Sequence, residues 1–343
     1  MHVTISPRRF DPPRGSYRVL AALAVVVFAV GVGLTGTARP ARAAAAYDGP
    51  QPGTFTGLGF DTCAAPSNAA MKAWLQSPYR AVGIYIGGVN RGCAQPNLTP
   101  SWVATQQAAG WRLFPLYVGL QAPCSTYQRK IDPARAAAQG REAADDAVRN
   151  ARGLGLSPAS MITLDMESYP AGNPACTAAV NSFVSAWTTR LHQLRFLSGF
   201  YTKVTSAGLA DQVAVYQRPG HARPDMIDFA RWDGVQTVSD SALPASYWMP
   251  GRRMKQYRGD HHETWGGVRI NIDSNYLDLR QPRLQPSWLL RRVFRDLPRI
   301  LNRLGALPPA RCRRPADAGR PPVRGSMSDS RCDTARGSSK KRS

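Results

Sequence analysis

The sequence predicts an α/β protein folded as a (β/α)8 barrel, the TIM-barrel architecture. Apolar, strand-like runs alternate with helical stretches between Gly57 and Asp273, and this alternation indicates parallel strands. Eight such runs occur in about 230 residues, which matches the size of a barrel of this kind. Polar and aromatic residues cluster where the runs end, as expected if the strand ends converge on one mouth.

The eight predicted strands are short apolar runs, several of which end at a glycine or an acidic residue. They cover residues 57–60, 81–86, 113–118, 161–164, 196–201, 226–232, 254–257 and 268–273. Four helices are predicted between them, over residues 66–76, 99–109, 133–154 and 174–194.

Local signals support these helices. The second begins Thr99-Pro100-Ser101, and the third follows Asp132 as a predicted cap with Pro133 in its first position. The fourth carries an apolar stripe at spacings of three and four, which predicts a face packed on the core: Val180, Phe183, Val184, Trp187 and Leu191.

The charge of the chain, +22 in total, lies mostly at its two ends. Residues 1–46 carry +5 and residues 281–343 carry +12, which leaves +5 for residues 47–280. A nucleic-acid enzyme would carry its positive charge on the folded face, so we expect no nucleic-acid partner. The middle segment is predicted to be one globular domain, and we expect it to be a monomer.

Residues 1–46 are predicted to be an export signal. A basic region that includes Arg8, Arg9 and Arg18 precedes an uncharged apolar stretch from Val19 to Leu34. Small residues at 41–46 offer cleavage sites. Residues 6–10 also resemble a twin-arginine signal, although Pro7 departs from its usual pattern. An uncleaved N-terminal anchor is the alternative.

The C-terminal segment divides into two parts. Residues 281–307 form a basic amphipathic stretch, in which residues 287–304 interleave apolar side chains with arginines. Such a stretch can contact an anionic membrane or wall polymer, or it can pack on the exterior of the barrel. Residues 308–343 are rich in Arg, Pro, Gly and Ser and are predicted to be disordered.

The six cysteines are consistent with export. The four in the middle domain contain no C-x-x-C pair, so a zinc site is not expected. Disulfides are the usual state outside the cytoplasm. Of the three possible pairings we favour Cys63–Cys93 and Cys124–Cys176, because each would join neighbouring loops that follow strands. The pairing of Cys312 and Cys332 stays open.

Two acidic residues, Asp165 and Glu167, follow the fourth apolar run. Side chains two apart on a strand share a face, so these carboxyl groups would lie close together and shift each other's pKa. Glycoside hydrolysis requires such an acid and base pair. The alternative is a strand end with two solvated acids. In a closed barrel, Asp61 and Asp273 would be neighbours at the same mouth.

Six separate motifs together resemble the Rv2525c-like, glycoside hydrolase-like domains (DUF1906) of secreted actinobacterial proteins. They occur in order over residues 57–278 and are 59–67, 85–88, 115–121, 165–169, 256–257 and 272–273. This resemblance implies a TIM barrel related to the lysozyme-type muramidases of family 25. It also implies Asp61 as the acid of the first strand, Asp165 and Glu167 as an Asp-x-Glu pair with Glu167 as proton donor, and Asp273 as a further acid.

The resemblance implies a role in cell-envelope carbohydrate, with peptidoglycan or a related wall glycan as partner. Further candidates for substrate binding at the mouth are aromatic and amide side chains: Tyr85, Tyr117, Gln121, Tyr201, Trp232 and Gln256. Core packing is the alternative for the aromatic residues. No metal or organic cofactor is expected, and His261-His262-Glu263 is interpreted as a solvated loop rather than a metal site.

Two other classes of function stay open from the sequence. One is a glycan-binding barrel without catalysis, and the other is an adaptor that binds a membrane surface or an anionic polymer through the basic C-terminal segment. In each case we expect the protein to be secreted or associated with the cell envelope.

Overall fold

The computed structural model describes residues 46–280, which form a closed barrel of eight strands in sequence order. The predicted export signal, apart from Ala46, and both predicted C-terminal segments lie outside the described residues. The strands are β1 (Phe55–Asp61), β2 (Ala81–Gly87), β3 (Arg112–Tyr117), β4 (Met161–Asp165), β5 (Leu197–Lys203), β6 (Met226–Ala230), β7 (Arg252–Trp265) and β8 (Val268–Leu279).

Each of the first five strands is followed by a helix. These helices are α1 (Asn68–Trp74), α2 (Pro100–Ala108), α3 (Ala136–Gly153), α4 (Pro174–Gln193) and α5 (Ala207–Ala214). Side-chain caps start four of them: Ser67, Thr99, Asn173 and Ser206 each accept a hydrogen bond from a backbone N–H of the first turn.

The start of α3 differs from the prediction. Asp132 does not cap the helix, because its carboxylate accepts from the N–H of Ala134 in a turn. The helix begins three residues after Pro133, with Arg135 at the N-cap and no side-chain cap. The sequence analysis also missed α5, although Ser206 provides a recognisable start.

The prediction of a regular (β/α)8 barrel is wrong in its last third. Strands β1 to β7 are parallel to their neighbours, but β8 is antiparallel to both β7 and β1. Within residues 46–280, no α-helix follows β6, and β7 and β8 form a long hairpin. Gly266 and Gly267 make its two-residue turn, both with positive φ, as a tight hairpin turn requires.

Two buried apolar clusters hold the barrel together. The smaller one fills the barrel interior with strand residues such as Phe114, Met254 and Leu277. The larger one lies between the strands and the helices and includes Trp74, Trp187 and other large side chains. Gly83 faces the interior at a crowded point, where a Cβ would lie 2.6 Å from the Cβ of Asp61 and from the Phe114 ring. A glycine here leaves room for Asp61.

Both predicted disulfides are present. Cys63–Cys93 joins the loops that follow β1 and β2, with Cα atoms 5.7 Å apart, and Cys124–Cys176 joins the β3 loop to the start of α4, at 5.9 Å. Within residues 46–280, no helix has the length and apolar character needed to cross a membrane.

Candidate active site

The mouth of the barrel contains a cleft of about 370 Å³ that is lined by five acidic side chains. Four of them are the predicted acids Asp61, Asp165, Glu167 and Asp273, and the fifth is Asp260. Asp61 and Asp165 end parallel strands, so their position follows from the fold. Asp273 reaches the mouth from the middle of a strand rather than from its end. It lies halfway along the antiparallel β8, where it pairs with Asp61.

Asp61 is the most fully hydrogen-bonded of these acids. Its Oδ1 accepts from the Tyr85 hydroxyl at 2.9 Å, and its Oδ2 accepts from Asn275 Nδ2 at 2.7 Å and Gln256 Nε2 at 3.2 Å. The side chain is only 4% exposed. Burial, followed by the negative charge of Asp273, raises the pKa of Asp61 to about 7, although the three hydrogen bonds oppose this shift.

Asp165 is also buried, 6% exposed, and has fewer partners. Its Oδ1 has no hydrogen-bond partner among the described residues. Burial raises the pKa of Asp165 well above its usual range, and the neighbouring carboxylates of Glu167, Asp61 and Asp228 raise it further. Lys203, at the end of β5, acts in the opposite direction.

Gln121 fixes the backbone that carries the acid pair. Its side chain is fully buried, donates to the carbonyl of Asp165 at 2.8 Å and accepts from the N–H of Glu167 at 2.8 Å. Glu167 is half-buried and lines the cleft two residues beyond the end of β4. Gln121 therefore lies behind the acid pair and holds it, rather than facing the cleft.

Asp273 is held by the β7–β8 hairpin. Its Oδ1 accepts from the N–H of Asp260 at 2.5 Å. Burial raises the pKa of Asp273, and the hydrogen bond from Asp260 opposes that shift.

The other predicted substrate-binding residues lie at different depths. Tyr85 lines the cleft. Tyr201 and Gln256 are buried beside it, where Gln256 Oε1 accepts from the Tyr201 hydroxyl at 3.1 Å and from Trp232 Nε1 at 3.0 Å. Trp232 is 54% exposed, two residues beyond the end of β6, and Lys203 lies 5.2 Å from its ring centroid. Gln256 thus links Asp61 to an exposed indole.

Tyr117 lies outside this group, which departs from the expectation that it faces the mouth. Its hydroxyl donates to Asp146 of α3 at 2.9 Å, and its ring packs on Trp187 of α4. The residue faces the helical layer because it ends β3 on the outward side of the strand.

The sequence analysis missed Asp260 and Arg91 of the cleft lining, and it missed Asn275, Asp228 and Lys203 beside the mouth. Asn275 lies two residues after Asp273. Because side chains two apart on a strand share a face, the sequence did contain a signal for it. Asp228 is an acid inside the otherwise apolar β6, 2% exposed, with a pKa that burial raises well above its usual range. Lys203 was not considered for the mouth, because the predicted fifth strand ended at Tyr201, whereas β5 extends to Lys203.

The segment His261-His262-Glu263 is part of β7 and not a solvated loop. Glu263 accepts from the Tyr79 hydroxyl and lies 3.1 Å from His261 Nε2, which is also 3.2 Å from Ser274 Oγ. This network ties the hairpin to the segment that follows α1. Among residues 46–280 no cluster of His, Cys, Asp and Glu side chains is arranged to hold a metal ion.

The mouth therefore combines buried acids that retain protons to unusually high pH with a half-buried glutamate. Acidic side chains at the mouth of an eight-stranded barrel are compatible with the class of glycoside hydrolase-like barrels. The chain belongs to the family described as Rv2525c-like, glycoside hydrolase-like domain, whose model matches residues 72–277.

Several solved structures are similar to this chain. An uncharacterized B. stearothermophilus protein is 19% identical with a TM-score of 0.43, and the match covers 66% of this chain and 97% of that one. The Mycobacterium tuberculosis Tat-secreted protein Rv2525c, in complex with L-tartrate, is 14% identical with a TM-score of 0.44, covering 65% and 96%. A muramidase from Trichobolus zukalii is 17% identical with a TM-score of 0.40, covering 67% and 97%. A search of curated proteins found no match.

Proposed function

We propose that the barrel hydrolyses a glycosidic bond in cell-envelope carbohydrate, peptidoglycan or a related wall glycan, with Glu167 as the general acid. The observation that carries this proposal is the convergence of Asp61, Asp165, Glu167 and Asp273 on one cleft. Membership of a glycoside hydrolase-like family supports it. The two disulfides support an extracytoplasmic location, because such bonds persist in oxidising compartments.

In the proposed reaction, protonated Glu167 donates its proton to the glycosidic oxygen as the bond to the anomeric carbon breaks. Asp165 orients a substrate acetamido group or, in its ionised form, stabilises the positive charge that develops on the sugar. Asp61 and Asp273 hold a water molecule or sugar hydroxyls, and water completes the hydrolysis.

Trp232 is proposed as a sugar-stacking platform at the rim of the mouth. Its ring is half exposed, and its indole N–H is fixed by Gln256, so the ring plane is held in place before a sugar arrives. Gly259 permits this position, because a Cβ there would lie 2.1 Å from the indole ring.

The test is Glu167→Gln, which removes the proton donor and keeps the size and hydrogen bonding of the side chain. General acid catalysis contributes about 10²–10⁴-fold, so turnover should fall at least 100-fold while glycan binding is retained. The matched control is Glu142→Gln, which alters an exposed glutamate on α3 that pairs with Arg135. Release of sugar fragments from peptidoglycan and other wall glycans is measured by mass spectrometry.

Unchanged turnover in Glu167→Gln would contradict the role of Glu167. If the wild-type protein cleaves no wall glycan at any pH between 4 and 8, the hydrolase proposal fails. Retained binding in that case would identify the protein as a glycan-binding barrel.

A further inference from the structure

The cleft wall formed by the loop after β2 carries an arginine for which the proposed reaction has no role. Arg91 lines the cleft together with Asp61, Asp165 and Glu167. Its side chain is exposed and makes a long contact, 3.5 Å from Nη1 to the carbonyl of Tyr85. Among the described residues, no carboxylate forms an ion pair with it, in contrast to Arg135, Arg149, Arg190 and Arg231.

The backbone on both sides of Arg91 is firmly held. Asn90 donates from its side chain to the carbonyls of Gly119 at 2.7 Å and Arg129 at 2.9 Å. Cys93 is bonded to Cys63, and Gln95 donates to the carbonyl of Cys63 at 2.7 Å and accepts from the N–H of Ala65. The backbone that carries Arg91 is therefore held in place, so binding a ligand there does not require the loop itself to be ordered.

The charge of Arg91 is not used to balance the buried acids. The opposing positive charge that acts on Asp165 is that of Lys203, and Asp61 is held by neutral donors. A guanidinium with free donors matches a planar carboxylate, to which it can donate two parallel hydrogen bonds. The carboxyl groups of the cleft that are ionised would repel a densely charged polyanion. A glycan with widely spaced carboxylates fits both the free guanidinium group and the acidic lining. One carboxylate can contact Arg91 while uncharged sugar units lie against the acids.

We propose that Arg91 is a specificity residue that binds a carboxylate of the substrate, so that the preferred glycan is an acidic one. This inference rests on the proposed function, since it names the substrate class of the same cleft. It predicts a difference between glycans that differ only in carboxyl charge.

The experiment compares two forms of one glycan. Peptidoglycan strands freed of their peptides carry one carboxylate on every second sugar, and coupling to ammonia converts these groups to neutral amides. Dissociation constants are measured by calorimetry at about 0.15 M salt, where long-range attraction is screened. The full-length protein is used with Glu167→Gln as background, so that cleavage does not interfere. The variants are Arg91→Gln, Arg91→Lys and, as control, Arg258→Gln.

We expect the background protein to bind the acidic strands about tenfold more tightly than the amidated ones, as for one charge-assisted, two-pronged contact. Arg91→Gln should abolish this preference and leave the affinity for amidated strands unchanged. Arg91→Lys keeps the positive charge but cannot donate two parallel hydrogen bonds, so it should keep part of the preference for acidic strands. Arg258→Gln changes an exposed arginine outside the cleft and should keep all of it.

Three results would overturn the inference while the proposed function stands. The first is equal affinity of the background protein for acidic and amidated strands. The second is a preference for acidic strands that persists in Arg91→Gln. The third is an equal loss of affinity for both kinds of strand in Arg91→Gln. A preference that persists would assign charge recognition to basic groups other than Arg91, such as those of the C-terminal segment, which is identical in all variants. If neither form is bound and no wall glycan is cleaved, the proposed function fails as well.

Discussion

At the scale of single residues, burial raises the pKa of several acids at or beside the mouth, among them Asp61, Asp165 and Asp228. An acid at a solvated strand end would stay ionised at neutral pH. Here five neighbouring carboxyl groups share a cleft, and the loss of each proton makes the loss of the next less favourable. The cluster can therefore hold protons into the neutral range, which suits acid chemistry on a glycan.

Asp61→Asn tests this protonation without any substrate. The pKa of Asp61 is about 7 in the folded protein, against 3.8 for the free side chain. Between these values the folded protein retains a proton that the unfolded chain has lost. This contribution to stability is therefore complete below pH 3.8 and is lost as the pH rises through 7. A shift of this size corresponds to at most about 4 kcal/mol.

An asparagine at position 61 can keep its oxygen toward Gln256 and Asn275 and donate to the Tyr85 hydroxyl. The stability of Asp61→Asn should therefore change less between pH 4 and pH 8 than that of the wild type. Urea unfolding at a series of pH values measures the difference. Parallel stability curves for the two proteins would show that Asp61 titrates normally in the folded state.

Gln121→Ala is expected to act through the acid pair. The change removes the acceptor for the N–H of Glu167 and the donor to the carbonyl of Asp165. The acid pair should then lose its fixed position, and kcat should fall about tenfold or more with a smaller change in KM. Gln106→Ala is the matched control, because Gln106 is equally buried but contacts Asn68 away from the mouth. Equal loss of kcat in both variants would indicate a general effect on stability.

At the scale of elements, the disulfides fix the loops that line the mouth. Cys63–Cys93 closes a separation of 30 residues and Cys124–Cys176 one of 52. Loop-closure entropy predicts a contribution of about 2–4 kcal/mol from each bond, with the larger loop at the upper end. Cys124→Ser/Cys176→Ser should therefore lower the unfolding free energy somewhat more than Cys63→Ser/Cys93→Ser.

Chemical denaturation of the two double variants measures this order. The Cys63 and Cys93 variant should in addition loosen the loop that carries Arg91, and faster hydrogen exchange at residues 88–97 would report it. A larger loss of stability from the shorter loop would mean that native contacts, rather than chain entropy, set the value of these bonds.

The elements that could be predicted from the sequence are those with complete local signals. Strands β1 to β5 carry clear apolar runs, and helix α4 combines an apolar stripe with an N-cap, so their positions were predicted within a few residues. The direction of β8 could not be predicted from hydrophobic pattern alone, because the pattern is the same for parallel and antiparallel strands. The turn Gly266-Gly267 was the available signal, since a two-residue glycine turn joins antiparallel strands.

The candidate site was predictable where strand ends carry acids, and less so where partners come from elsewhere. Asp61, Asp165, Glu167 and Asp273 meet in one cleft because the barrel closes between β1 and β8. Two features of the site depend on loop geometry, which no periodic pattern encodes. Gln121 holds the backbone of Asp165 and Glu167, and a loop cross-linked by a disulfide carries Arg91. Tyr117 was wrongly predicted to line the mouth. An aromatic residue at a strand end can face the helices instead, and the sequence pattern does not distinguish the two orientations.

At the scale of the whole molecule, the charge of the chain and the chemistry of the barrel are separate. The barrel segment has a net charge of only +5, whereas residues 281–343 carry +12. An interaction with an anionic surface should therefore depend on the C-terminal residues, and glycan chemistry should depend on the mouth. These two functions can be tested independently of each other.

Removal of residues 281–343 should abolish most binding to anionic vesicles and leave glycan hydrolysis unchanged. Basic side chains near such a surface contribute about 1 kcal/mol each, so loss of the segment should weaken binding far more than tenfold. Co-sedimentation with vesicles of neutral and mixed neutral and anionic lipid, at two salt concentrations, measures this. Binding of the full chain should fall as salt rises. Vesicle binding that survives the truncation would place the anionic contact on the barrel, and Arg91→Gln would then show whether the mouth provides it.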